Sequence, residues 1–279
     1  MLGEKVSVII STYNAPEWLR RVLWGYENQD YKNFELIIAD DGSGDETREL
    51  IQSFKQDTAL DINHVWHTDR GFQKSEILNK ATMAATTKYL IYSDGDCIPR
   101  KDFVHVHVQR AQPGYFLSGG YFMLPMETSK RITREDITTG NAFDVKWLYD
   151  HGLPATFKSL KLNSTGVQER FLNWITPTKA TWNGHNSSGW KADIVSVNGF
   201  NEEMQYGGQD RELGERLVNK GIIGKQIRYS AVCIHLDHKR GYKTPASIQK
   251  NMAIRKETRR LRKTWTEFGI VKSKSPVGP

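Results

Sequence analysis

Apolar and polar positions fall into alternating blocks along the first hundred residues. Val6-Ser-Val-Ile-Ile10 and Phe34-Glu-Leu-Ile-Ile-Ala39 are short, mostly apolar runs, as expected of strands covered on both faces of a parallel sheet. Between them Pro16 suits a first helical turn, and Trp18, Leu19, Val22 and Leu23 make an apolar stripe behind it. Asp45 and Glu46 open a second helix through Phe54, their charge matching the helix dipole. A weaker strand lies near Val65, and Ser75 caps a helix containing Ile77, Leu78 and Met83. The run Tyr89-Leu-Ile-Tyr-Ser-Asp-Gly-Asp-Cys97 then reads as a buried strand closed by an acidic turn. Repeated βα units of this length predict a mostly parallel, doubly wound, Rossmann-like sheet.

The middle, from about Lys101 to Trp182, is less legible. It offers a helix over Asp102 to Ala111, a kink at Gly119-Gly120 and a helix near Phe143 to Tyr149. Regular pattern returns at Trp190 to Val197. Gly207-Gly-Gln-Asp210 precedes a helix with Leu213 and Leu217 on its apolar face, stopped by Gly221. Ile227 to Ile234 reads as a last strand, followed by His235-Leu-Asp-His238, and Ser247 to Phe268 reads as one helix. The expected division is 1–100, 101–240 and a basic helical tail (241–279).

Composition adds little until its distribution is considered. Of 279 residues, 38% are hydrophobic and 25% charged, values of an ordinary globular chain able to bury a full α/β core. No apolar run approaches the ~20 residues of a membrane span. The first strand starts about five residues in, so neither signal peptide nor stem is expected and the expected location is cytoplasmic. Cys97 and Cys233 are then expected to be buried, reduced thiols. The net charge of +7 concentrates in Arg255, Lys256, Arg259, Arg260, Arg262 and Lys263. Such a tail could hold the chain peripherally at an anionic membrane face. Nucleic acid is not expected, because no aromatic platform or recognition motif accompanies the charge.

The chemistry sits at strand ends, where open α/β sheets bind ligands. Three polar clusters lie there: Thr12-Tyr-Asn14, Asp40-Asp41 and Asp94-Gly-Asp96. Paired carboxylates at such a crevice repel unless a cation joins them, and a divalent ion holding a diphosphate meets that need. No phosphate-binding glycine loop of either common type is present. Val6-Ser-Val-Ile-Ile-Ser-Thr-Tyr-Asn-Ala-Pro-Glu-Trp-Leu19, Glu35-Leu-Ile-Ile-Ala-Asp-Asp-Gly-Ser43 and Asp94-Gly-Asp96 together resemble a family 2 inverting glycosyltransferase of the GT-A fold. Val197-Asn-Gly-Phe-Asn-Glu-Glu203 and Gly207-Gly-Gln-Asp-Arg-Glu-Leu-Gly-Glu-Arg-Leu217 resemble a galactosyltransferase-type acceptor half.

The resemblance implies roles position by position. Thr12, Tyr13 and Asn14 would line the nucleotide site. Asp41, or less favourably Asp40, would accept the uracil imide N–H, and Gln73, Lys74 and Asn79 would touch the nucleotide. Asp94 would meet ribose or metal, and Asp96 would be the main ligand for Mn²⁺ or Mg²⁺, completed by His235 or His238. Asp210 would be the general base, with His185, Asn186, Gly208 and Gln209 on the acceptor side. Gln209 stands where the family usually has glutamate, and Tyr206 where tryptophan is common, so the acceptor contacts are expected to differ. The implied reaction moves a hexose or N-acetylhexosamine from a nucleotide sugar, UDP-linked by preference, to a glycan or glycolipid acceptor of surface polysaccharide or lipooligosaccharide. The alternatives are a nucleotidyltransferase that forms sugar nucleotides and a non-catalytic glycan-binding module.

Overall fold

The computed structural model of the chain describes residues 3–156, 159–164, 166–239 and 243–272. Strands β1 (Val6–Thr12) and β2 (Phe34–Asp40) are buried along their whole length, which is why their sequences lack polar alternation. They pair in parallel, and β2 pairs likewise with β3 (Ile62–Trp66). On the other side β1 pairs in parallel with β4 (Tyr89–Asp94), placing Asp94 opposite Ser11 and Asp40 opposite Thr12. The first three polar clusters therefore share one sheet edge, as the motif order requires.

Beyond β4 the sheet continues with residues from the second half. After the short β5 (Cys97–Pro99) come β6 (Tyr115–Ser118), β7 (Gly120–Met123), β8 (Asn186–Trp190), β9 (Ile223–Gln226) and β10 (Val232–His235). The seven-stranded sheet runs β3-β2-β1-β4-β8-β6-β9, with β8 antiparallel to both neighbours. A three-stranded sheet, β5-β10-β7, lies beside it. In that small sheet His235 pairs with Cys97, and the Leu236 amide donates to the Asp96 carbonyl at 2.9 Å. Alternate strand residues feed two apolar cores: Val8 and Ile10 join Leu19, Leu23 and Phe103, whereas Ile9 joins Ile77, Trp182 and Phe200. Cys97 and Cys233 are both buried and unbridged. No helix among the described residues is long and apolar enough to cross a membrane.

Two expected elements differ. The strand expected over Ile227 to Ile234 is shorter, because the Ser230 and Ala231 amides turn back onto the Ile227 carbonyl before β10 begins. The tail is not one helix to Phe268. It is helical over Pro245–Arg260, then Arg262 adopts a left-handed backbone (φ 51°). The segment beyond returns to the body, where the buried Asn198 amide donates to the Thr266 and Val271 carbonyls. Gly269 makes that return possible, since a Cβ there would overlap the Asn198 carbonyl oxygen. The helix docks largely through polar side chains. Met252, Leu261, Trp265 and Phe268 are exposed, while Ser247, Asn251 and Thr258 are buried. Arg255 and Arg259 pair with Glu215, and Lys263 pairs with Glu257, so half of the six tail cations are neutralised within the protein.

Helix Gln209–Asn219 is anchored by a fully buried guanidinium. Arg216 pairs bidentately with Glu212 and donates to the Val197 and Gly199 carbonyls. Removing one partner of such a pair strands the other charge in the core, at a cost of ~3–5 kcal/mol. Arg216→Met should therefore lower the unfolding free energy in urea by about that amount; a change below ~1 kcal/mol would show the pair to be dispensable.

Candidate active site

The acidic turn is built by close packing. Gly95 follows β4, its amide donating to the Ser11 carbonyl at 2.7 Å, and a Cβ there would press on that oxygen and on the Thr12 side chain. Asp94 Oδ1 accepts from Ser11 Oγ and from Lys74 Nζ, each at 2.7 Å. Burial disfavours the Lys74 charge, but Asp94, Asp210 and Asp96 together raise its pKa, in that order. Lys74 is thus a cation held among three carboxylates from the fourth strand, the turn after it and the Gln209–Asn219 helix.

Asp96 lies against both candidate histidines. His238 Nε2 is 3.0 Å from Asp96 Oδ2, and His235 Nε2 is 3.8 Å from Oδ1. Their rings stack at 13° with centroids 5.4 Å apart. His235 Nδ1 lies 2.7 Å from the Leu236 carbonyl, and His238 Nδ1 2.9 Å from that of Lys239. A carbonyl only accepts, so each Nδ1 donates and each Nε2 faces the carboxylate; the hydrogen bond from His238 Nε2 to Asp96 uses a second ring proton, which a metal held at the same nitrogen would replace. Burial works against ionisation of Asp96, but the His238 hydrogen bond and the nearby His235 and Lys74 hold its carboxyl below the usual range. Donor atoms of Asp96, His235 and His238 all lie within 4.8 Å of one another. A carboxylate with two imidazoles could hold a divalent metal ion. The sequence left one histidine to be chosen; the geometry brings both.

Asp210 sits near the start of its helix with its carboxylate against Gly184, where a Cβ would lie 3.0 Å from Oδ1. That oxygen is buried with no hydrogen-bond partner among the described residues. Burial, seconded by the Asp94 charge, raises the Asp210 pKa against Lys74, the Gly184 amide and Arg211. The next residue, His185, meets the Tyr121 ring edge-on at 4.6 Å, and Tyr121 in turn lies 5.2 Å from the His235 ring. Burial pushes the His185 imidazole down to about 4, so it is neutral near pH 7. The chain of contacts Asp210, Gly184, His185, Tyr121, His235 forms a continuous rim from carboxylate to histidine pair.

On the other side of β1, Tyr13 is 46% exposed and its hydroxyl donates to Asp69. Asp41 accepts from the Gln73 amide at 3.0 Å and contacts His67 Nε2 at 2.8 Å. Burial raises the Asp41 pKa, opposed by His67 and the Gln73 amide. Asp40 is fully buried, accepting from the Ser43 amide and contacting His64, so its carboxylate shapes the turn.

Other expected contacts are placed in the scaffold. Asn14, at φ 44°, accepts from the Gly44 amide and ties two turns together. Asn79 bonds Phe200 through both ends of its amide and also reaches Glu202. Asn186 is fully buried, donating to the Gly120 and Ala231 carbonyls and contacting His107. Gln209 is buried and accepts from the Gly207 amide, and Gly208 lies under the Arg255 side chain. Of the four acceptor-side residues, only His185 reaches the rim through its side chain. Ser11, Tyr121 and Gly184 were missed in the sequence. Ser11 alone had a legible signal, its place at the end of the first strand.

A family model described as glycosyl transferase family 2 matches residues 7–164, more than half of the chain. The chain belongs to glycosyl transferase family 2. This transferase is 26% identical over 283 aligned positions to the uncharacterized glycosyltransferase YfnE of Bacillus subtilis (strain 168), covering 89% of the chain and 69% of that protein. It spans only 24–52% of several longer curated relatives. Among solved structures it is similar to the mannosyltransferase PcManGT from Pyrobaculum calidifontis, in complex with GDP-Man and Mn²⁺ (TM-score 0.55, 18% identity, 90% of this chain and 69% of that one). It is also similar to residues 1–349 of TarS from S. aureus with UDP-GlcNAc (TM-score 0.58, 16% identity, 90% and 65%). The family 2 transferase therefore has the GT-A fold, and membership of an enzyme family favours it over the non-catalytic alternative.

Proposed function

We propose that the chain is a metal-dependent, inverting hexosyltransferase that takes a hexose or N-acetylhexosamine from a UDP-sugar and attaches it to a glycan or glycolipid hydroxyl. The observation that carries this reading is the continuous rim from Asp210 to His235 with Lys74 set among Asp94, Asp96 and Asp210. Base and diphosphate site then face one gap, as in-line displacement at an anomeric carbon requires. Asp96, His235 and His238 would hold Mn²⁺, which when bound would neutralise charge growing on the leaving diphosphate.

The chain's own residues do the rest. Asp210 takes the acceptor hydroxyl proton as that oxygen attacks the anomeric carbon and the bond to the diphosphate oxygen breaks. Its unpartnered Oδ1 is the position for that hydroxyl. Lys74 holds Asp94 in place and keeps positive charge beside the departing phosphates. Neutral His185, beside Tyr121, can exchange hydrogen bonds with a sugar hydroxyl without adding charge. Tyr13 and Asp41 form the base site. Asp41 can accept the imide N–H of uracil, which cytosine lacks.

Structural likeness leaves the base open, since one neighbour holds GDP-Man and another UDP-GlcNAc. A screen of UDP-, GDP- and dTDP-sugars for Mn²⁺-dependent hydrolysis tests the proposal without an acceptor. Turnover of a UDP-sugar, abolished by EDTA and restored by Mn²⁺, is the expected result. Equal rates with EDTA would remove the metal from the mechanism, and pyrophosphate release from UTP plus a sugar phosphate would favour the nucleotidyltransferase alternative.

A further inference from the structure

The lead-in to Asp210 is a turn that its own sequence cannot hold. Gly207 and Gly208 both have left-handed backbones, at φ 116° and 91°. Consecutive glycines carry the largest backbone freedom, so a turn made of them needs fixing from outside. The fixing comes from the Pro245–Arg260 helix, which docks through buried polar side chains. Asn251 Nδ2 donates to the Gln205 carbonyl at 2.8 Å and to the Gly207 carbonyl at 3.1 Å. Only the amide nitrogen can serve two carbonyls, so the orientation of this fully buried side chain is unambiguous. Ser247 Oγ shares its one proton between its own helix's Thr244 carbonyl at 3.0 Å and the Tyr206 carbonyl at 3.3 Å, and Arg255 lies across Gly208 while pairing with Glu215. Lower on the same face Thr258 donates to Glu212, two residues past Asp210.

We propose that Asn251 is a positioning residue for the Asp210 carboxylate, acting through the Gln205–Gly208 turn. The tail helix is on this view a brace for the reaction centre. Three carbonyls of the turn and two carboxylates of its helix are held by one face of the brace, and the side chain they jointly aim is Asp210. The proposal rests on the reading of Asp210 as the base. Asn251 touches neither the histidine pair nor the Asp41 site in the contacts given above, so its effect should appear in turnover and not in nucleotide binding.

The experiment is a double-mutant cycle on the full chain, with Mn²⁺-dependent turnover of the best UDP-sugar and the Kd of UDP–Mn²⁺ measured in parallel. Asn251→Ala is expected to lower kcat about tenfold, the scale of a small misplacement of a reacting group, with the UDP–Mn²⁺ Kd changed less than about twofold. In the Asp210→Asn background the same substitution should change kcat by less than about twofold, because the aimed group is already lost. An equal loss in both backgrounds would make Asn251 merely structural, and an unchanged kcat in the wild-type background would overturn the proposal outright. If Asp210→Asn alone leaves kcat intact, the base reading fails instead. Should Asn251→Ala not fold, Ser247→Ala, which removes the longer bond to Tyr206, tests the same coupling. The expected drop is about two- to threefold, again only where Asp210 is present.

Discussion

Asp210→Asn is expected to lower kcat by about 10²–10⁴ while the Kd for UDP–Mn²⁺ stays within about threefold of the wild type. Asparagine keeps the size and the packing against Gly184 but cannot accept a proton. Turnover against donor concentration, with UDP–Mn²⁺ titration calorimetry alongside, separates the two effects. A kcat within about fivefold of wild type would remove Asp210 from the role of base. The pH profile gives a second check. Because burial raises the Asp210 pKa, its proton-accepting form is lost on acidification at a pH above the ordinary carboxylate range. The acid limb of kcat/KM should therefore lie above the ordinary carboxylate range and vanish in Asp210→Asn.

Asp96→Ala is expected to have the complementary signature. Outer partners of metal ligands alone are worth about 10- to 100-fold in affinity, so loss of a carboxylate ligand should weaken Mn²⁺ binding by about 100-fold or more. Electron paramagnetic resonance of free Mn²⁺ reads this without any turnover. UDP affinity should then become insensitive to Mn²⁺, whereas in Asp210→Asn it remains Mn²⁺-dependent. If both variants lose Mn²⁺ binding and turnover to the same degree, the division between metal ligand and base is wrong. Lys74 sharpens the contrast. With Asp96 removed it still has Asp94 at 2.7 Å, so the local fold should survive and the loss can be assigned to the ion.

Much of this site follows from local rules. A strand buried on both faces must be apolar throughout, and its polar residues are then pushed to its end, so the sequence alone puts Asp40 and Asp41 at the end of β2 and Asp94 and Asp96 at the end of β4. Lys74 was expected at the nucleotide, but its contact with Asp94 and its nearness to the charges of Asp96 and Asp210 depend on how its helix packs. The roles of His64 and His67, beside Asp40 and Asp41, depend on β3 lying next to β2 in a definite register. Nothing in the residues around them reports that register. The tail was misread for a related reason. Its period-matched apolar residues stay exposed, and a helix that docks through Ser247, Asn251 and Thr258 carries no hydrophobic signal to read.

The amino-acid order alone determined the βα alternation, the acidic strand ends and the aspartate heading a late helix, because each depends on neighbours within a few positions. Only the tertiary structure decided that both His235 and His238 meet Asp96, that Asn186 and Gln209 are scaffold, and that Gly184 and Tyr121 join carboxylate to histidines. Those are contacts between segments far apart in the chain, fixed by strand pairing and by which side chain can be buried with its hydrogen bonds satisfied.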